Sequence, residues 1–148
     1  MREEIEEFFK LCDNMLESAT IDFEELRSQE IKTDFFDDYN NTRLVNSFLF
    51  NFSKLQDKIG AKLFRKVLYD LKEIDDINLP MLDILNILEK LTIIEDVNSL
   101  DELREIRNAI AHEYPFHINE RIENIKLAFI GFEKLKKIYL NLVKKMER

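Results

Sequence analysis

Four residues in this chain break a helix by their own chemistry: Gly60, Gly131, Pro80 and Pro115. Across 148 residues, that leaves long stretches with nothing to interrupt an i→i−4 hydrogen-bond ladder. No Asn-Gly or Asp-Gly pair, the signature of a tight hairpin, occurs. Apolar residues recur at steps of three and four rather than two, the spacing of an amphipathic helix. Long amphipathic helices joined by short links pack best as an antiparallel bundle. The expectation is an all-α fold of four to five helices in a single domain over residues 1–148.

The apolar stripes place the helices. Ile5, Phe8, Phe9, Cys12, Met15, Leu16 and Ala19 mark a first one. A more polar stretch from Thr20 to Asn41 follows, kept partly apolar by Phe23, Leu26, Ile31, Phe35 and Phe36. Asp34, Asp37 and Asp38 within it read as a solvated helix start, because carboxylates favour helix N-termini. A second long helix runs from about Thr42 to Ile74, and Gly60 inside it marks a kink or a close crossing. The third opens at Pro80, a favoured first-turn residue, with Leu82, Leu85, Leu88 and Leu91 after it. The fourth opens with Ser99-Leu-Asp-Glu102, which has the form of a capping box. Leu100, Leu103, Ile106 and Ile110 form its apolar face, and Pro115 ends it. The fifth spans about Asn119 to Lys145, with Ile122, Ile125, Phe129, Phe132, Leu135, Ile138, Leu142 and Val143 inward. No repeat or low-complexity tract stands out.

A formal net charge of −8 argues against binding duplex nucleic acid through one broad basic face, while leaving room for a local site that takes a few nucleotides. One cysteine, Cys12, rules out an intrachain disulfide and a cysteine-based metal cluster, in keeping with a reducing cytoplasm. It falls on an apolar face and reads as core. The opening Met-Arg-Glu-Glu-Ile-Glu-Glu is too acidic for a signal peptide. No apolar run approaches the roughly 20 residues of a membrane span.

The stretch Arg104-Glu-Ile-Arg107-Asn108-Ala-Ile-Ala-His112-Glu-Tyr114-Pro115 carries the chemistry. On a helix, residues four apart share a face, so Asn108 lies beneath His112 and Arg104 beneath Asn108. Arg107 stands about 140° from His112 by the helical period, on a neighbouring edge. Leu103, Ile106 and Ile110 face inward, so much of the Arg-Asn-His set points away from the core. An imidazole that titrates near neutrality beside a permanent cation can move a proton and stabilise a phosphate anion without a metal. Two histidines and scattered carboxylates make no metal site, and no cofactor is called for. The bland alternative is a histidine that complements the dipole at a helix C-terminus.

Arg107-Asn-Ala-Ile-Ala-His112 resembles the R-x4-6-H motif of the HEPN superfamily, the higher eukaryote and prokaryote nucleotide-binding domains. The extension to Tyr114 resembles the R-x4-H-x-Y form of HepT-like toxins. Lys54-Leu-Gln-Asp-Lys-Ile-Gly60 and Pro80-Met-Leu-Asp-Ile-Leu are similar to the helices that precede it in HepT-related bacterial proteins. The resemblance implies a metal-independent endoribonuclease, active as a homodimer on single-stranded RNA, that leaves 2′,3′-cyclic phosphate and 5′-hydroxyl ends. By that resemblance His112 moves the proton of the ribose 2′-hydroxyl. Arg107 stabilises the scissile phosphate, and Asn108 orients either group. Arg104, Arg121 and Lys126 supply positive potential for RNA. The resemblance also implies a minimal nucleotidyltransferase antitoxin as partner, with Tyr114 as the side chain it modifies. A second reading within the same superfamily is a non-catalytic substrate-binding partner of a nucleotidyltransferase.

Overall fold

A computed structural model of the chain describes residues 1–112 and 117–147, the Ala61 side chain aside. These residues form α1 (Arg2–Arg27), a 3-10 turn (Phe35–Asp37), α2 (Tyr39–Ile59), α3 (Ala61–Asp70), α4 (Met81–Lys90), α5 (Ser99–Ala111) and α6 (Ile118–Met146). No strand occurs among them, so the all-α bundle stands.

α1 packs along α2 and α3, and α6 packs on α5 and α2. The pairings fix the directions. Asp22 of α1 meets Ser47 and Asn51 of α2, while Glu4 meets Lys66 of α3, so α1 runs against them. α6 also opposes α1, since Arg27 pairs with Glu133 and Arg2 lies against Met146. Tyr139 fastens that face. Its hydroxyl donates to Asp13 Oδ1 at 2.7 Å and lies 3.1 Å from the Phe9 carbonyl. Burial and the Asp13 carboxylate both push its ionisation upward. Cys12 nearby is buried as the stripe predicts, and burial raises its thiol to about 12.

The centre is aromatic. Phe23 of α1, Phe48 and Phe52 of α2, and Phe129 and Phe132 of α6 lie with ring centroids 5.1–6.4 Å apart. Several pairs meet edge to face, as ring quadrupoles prefer. Each ring taken fully out of water contributes about 1.5–3 kcal/mol. Gly131 sits at the crossing. A Cβ placed there would lie 3.0 Å from the Phe52 ring and 3.2 Å from Ile106 Cδ1.

Several boundaries differ from the sequence reading. α1 does not stop near Thr20, because Phe23 and Leu26 continue the stripe of Ala19 and are buried with it. α2 begins at Tyr39 with Asp38 as its cap, whose carboxylate accepts from the Asn40 amide at 2.9 Å. The long second helix does break at Gly60, but it ends at Asp70 rather than Ile74. Leu82 is exposed, since Met81, Ile84, Leu85 and Leu88 carry the inner face of α4. The capping box at Ser99 does not form. Asn98 is the cap residue, and Ser99 Oγ instead accepts weakly from the Asp96 amide at 3.4 Å.

The two ends that the sequence left unmarked are copies of one device. Residues 68–78, Leu-Tyr-Asp-Leu-Lys-Glu-Ile-Asp-Asp-Ile-Asn, recur at 88–98 as Leu-Glu-Lys-Leu-Thr-Ile-Ile-Glu-Asp-Val-Asn. In each copy a residue with positive φ, Lys72 at 63° or Thr92 at 61°, follows the helix. The next amide reaches back to Leu68 or Leu88, and the Lys72 or Thr92 amide reaches Tyr69 or Glu89. This is a Schellman closure without glycine. Asp76 or Asp96 then accepts from the amide of Asn78 or Asn98, in a turn that leads directly into α5 in the second copy and through Leu79 and Pro80 into α4 in the first. The chain thus carries an internal repeat that residue patterns alone did not reveal.

Gly131→Leu should lower stability by about 2–3 kcal/mol, because the crossing has no room for added methylenes. Urea unfolding followed by circular dichroism measures it. An unchanged midpoint would mean that α6 does not rest on α2 and α5 at this point.

Candidate functional site

α5 is fixed before its functional side chains are considered. Its buried face, Leu103 with Ile106, packs around Gly131. Glu102 pairs with Lys134 of α6, and Asn124 donates to the Ala109 carbonyl at 3.3 Å. The helix's last residue is Ala111, and His112 is its C-cap, with its amide donating to the Asn108 carbonyl at 3.1 Å. His112 and Asn108 are therefore neighbours one turn apart, both exposed to solvent. The helix stops earlier than Pro115 suggested. Tyr114 and Pro115 lie outside the described residues.

Arg107 does not swing toward His112. It crosses to α2 and grips Asp57 with both terminal nitrogens, Nη2 to Oδ2 at 3.1 Å and Nη1 to Oδ1 closer still. Asp57 lies in the last turn of α2, just before the Gly60 break. The guanidinium and carboxylate are 42% and 44% exposed, so the pair adds less than about 1 kcal/mol to stability. Its consequence is geometric. Arg104, one turn earlier, pairs with Asp101 on its own helix.

Between the end of α2, the start of α3 and α5 lies an open groove of about 580 Å³. It is lined by Gln56, Asp57, Arg104, Arg107 and Asn108 together with apolar Ile59, Phe64, Met81, Leu100, Leu103 and Leu135. Gln56 Oε1 is buried there without a hydrogen-bond partner.

The residues read from sequence fall into two groups. Arg104, Arg107 and Asn108 share the groove, and His112 stands one turn beyond its Asn108 end. Arg121 and Lys126 do not join them within one chain. Arg121 lies over the Phe36 ring at 3.9 Å. Lys126 borders a separate depression with Ile31, Lys32 and Phe129. Asp57 and Gln56 were missed as site residues. Both lie in the Lys54–Gly60 segment at the end of α2, where the helical period alone does not say which side chains face α5. Among the described residues, no group of histidine, cysteine and carboxylates is arranged to hold a metal, and no helix is long and apolar enough to cross a membrane.

Asp57→Asn should fold normally. It should lower the melting temperature by no more than a few degrees, since an exposed pair is worth less than about 1 kcal/mol. Calorimetry tests this, and a loss above about 3 kcal/mol would make the pair structural.

No protein-family model, curated protein or solved structure matches this chain.

Proposed function

We propose that the chain is a HEPN-type, HepT-like toxin: a metal-independent endoribonuclease controlled by a nucleotidyltransferase antitoxin. The observation that carries the reading is the exposed end of α5. There Arg107, Asn108 and His112 are kept out of the core by a helix whose other face packs on Gly131. The fold does not need this polar set, and its residue types suit phosphodiester transfer. His112 takes the proton of a ribose 2′-hydroxyl as that oxygen bonds to phosphorus. The bond to the 5′-oxygen breaks, and that oxygen leaves protonated with the proton that His112 has taken up. The products are a 2′,3′-cyclic phosphate and a 5′-hydroxyl. Arg107 stabilises the charge that builds on the non-bridging oxygens, and Asn108 orients the phosphate. A symmetric homodimer that brings two such ends together completes the site and doubles its cations. Arg104, Arg121 and Lys126 add potential along the RNA.

One observation favours the second reading, a non-catalytic partner that holds substrate for a nucleotidyltransferase. Asp57 already engages Arg107, and a cation held by a carboxylate offers weaker stabilisation to a transition state.

Purified protein should cleave single-stranded RNA in the presence of chelator. His112→Ala and Arg107→Ala should each lower the rate by at least about a hundredfold, the scale of one acid–base or electrostatic group. Their circular dichroism should be unchanged. Cleavage that survives loss of His112, or that never occurs, hands the function to the binding-partner reading.

Control is expected at Tyr114. Tyr114 follows His112 by two residues in the sequence, and adding a nucleotide there brings bulk and a negative charge that repels RNA phosphate. Tyr114→Phe should stay active and escape silencing by the cognate nucleotidyltransferase with ATP. Intact-mass measurement decides, since an unmodified mass with inhibition intact would point to control by complex formation.

A further inference from the structure

We propose that Asp57 is a built-in competitor of substrate phosphate: its carboxylate holds Arg107 in a resting position, and a phosphate engages that arginine only by displacing it. The proposal rests on the reading of Arg107 as a phosphate contact and adds what restrains that contact in the free protein.

Arg107 turns its two terminal nitrogens to the two oxygens of Asp57. Two parallel N–H groups on two oxygens is also how a guanidinium takes a phosphate. Carboxylate and phosphate therefore compete for one edge of one side chain. The direction of the contact matters as much as its chemistry. Arg107 reaches from α5 to the last turn of α2. His112 stands about 140° round the α5 axis and about 7–8 Å further along it. While it holds Asp57, the guanidinium points across to α2 and away from the imidazole of its own chain. Toward a second chain it presents a cation whose charge is already compensated.

The placement of Asp57 supports the same role. A carboxylate in the last turn of a helix meets the negative end of the dipole, where a cation is favoured instead. Asp57 stands there, just before the Gly60 break, so α2 is not stabilised by it. Arg107 on the facing helix is the partner that offsets its charge. Both side chains are open to solvent, so a phosphate can approach the pair without any burial being undone. The restraint is shallow for the same reason. It tunes the affinity of the site and does not close it.

The test compares RNA binding and cleavage by variants of the full chain. A fluorescent single-stranded RNA with 2′-O-methyl riboses lacks the attacking hydroxyl, so its affinity is read by anisotropy without turnover. Asp57→Asn and Asp57→Ala should bind it about two- to fivefold tighter than the unaltered protein, fivefold being about 1 kcal/mol. Asp57→Glu keeps the carboxylate and should stay near the unaltered protein. Glu105→Gln removes the same charge from the exposed surface of α5 and should bring less than half the gain. In an Arg107→Ala background, Asp57→Asn should do no more than Glu105→Gln, because nothing is left to compete for. On unmodified RNA, Asp57→Asn should raise kcat/KM by the same factor as the affinity. Unchanged or weaker binding by Asp57→Asn, or a gain that persists without Arg107, overturns the restraint. RNA cleavage with an affinity indifferent to Asp57 rejects the restraint and leaves the nuclease reading intact. An Arg107-dependent gain in binding without cleavage does the reverse, and RNA bound by none of the proteins rejects both.

Discussion

The crossing of α6 over α2 and α5 at Gly131 sets the position of the other helices. A residue without a side chain lets Phe52 and Ile106 approach the α6 backbone together, where a Cβ would stand 3.0 and 3.2 Å from them. Once they do, Phe132 and Phe129 face Phe48 and Phe23, and the aromatic centre closes. α5 is then held at one distance and one rotation from α6, with Leu103 inward. A helix whose buried face is settled this firmly has its opposite face settled too. Arg104, Arg107 and Asn108 therefore face the groove because of a glycine more than twenty residues further along the chain.

Much of this was legible in residue spacing. The stripes of α1, α2 and α6 are long enough that one or two mispredicted positions do not change their meaning. The break at Gly60 followed from glycine's poor fit inside a helix. The errors came where local chemistry departed from its usual residues. Lys72 and Thr92 hold left-handed closures that glycine normally holds, so nothing in their side chains announced a stop. Ser99 and Glu102 matched a capping pattern, yet Asn98 caps the helix and Glu102 is drawn away to Lys134. With Asn98 at the cap position, Ser99 is already inside the helix and Glu102 stands one place too far along to close the box. The repeat at 68–78 and 88–98 was hidden by its hydrophilic substitutions, while its leucines and Asp-x-Asn turns persist.

The site was legible only along its own helix. Arg107, Asn108 and His112 are close in sequence, so helical geometry alone placed them. Asp57 is fifty positions away from Arg107, and nothing in a single sequence pairs them. The 140° offset between Arg107 and His112 follows from an ideal helix, and the long arginine side chain does not close it. Arg107 instead turned to the nearest carboxylate on the facing helix. Arg121 similarly settled on Phe36, where an aromatic face attracts a cation, and so left the patch that charge counting had given it.

The acidity of the chain then takes on a different meaning. With a net charge of −8, the molecule repels RNA at long range, so any binding depends on contacts within about a Debye length of 8–10 Å. Loose arginines on such a surface would fold back onto whichever carboxylate came first, as Arg104 does onto Asp101. Arg107 differs in reaching across to a second helix, where its two contacts with Asp57 bias its orientation by less than about 1 kcal/mol. Asp57 lowers the local positive charge and raises the geometric definition of Arg107.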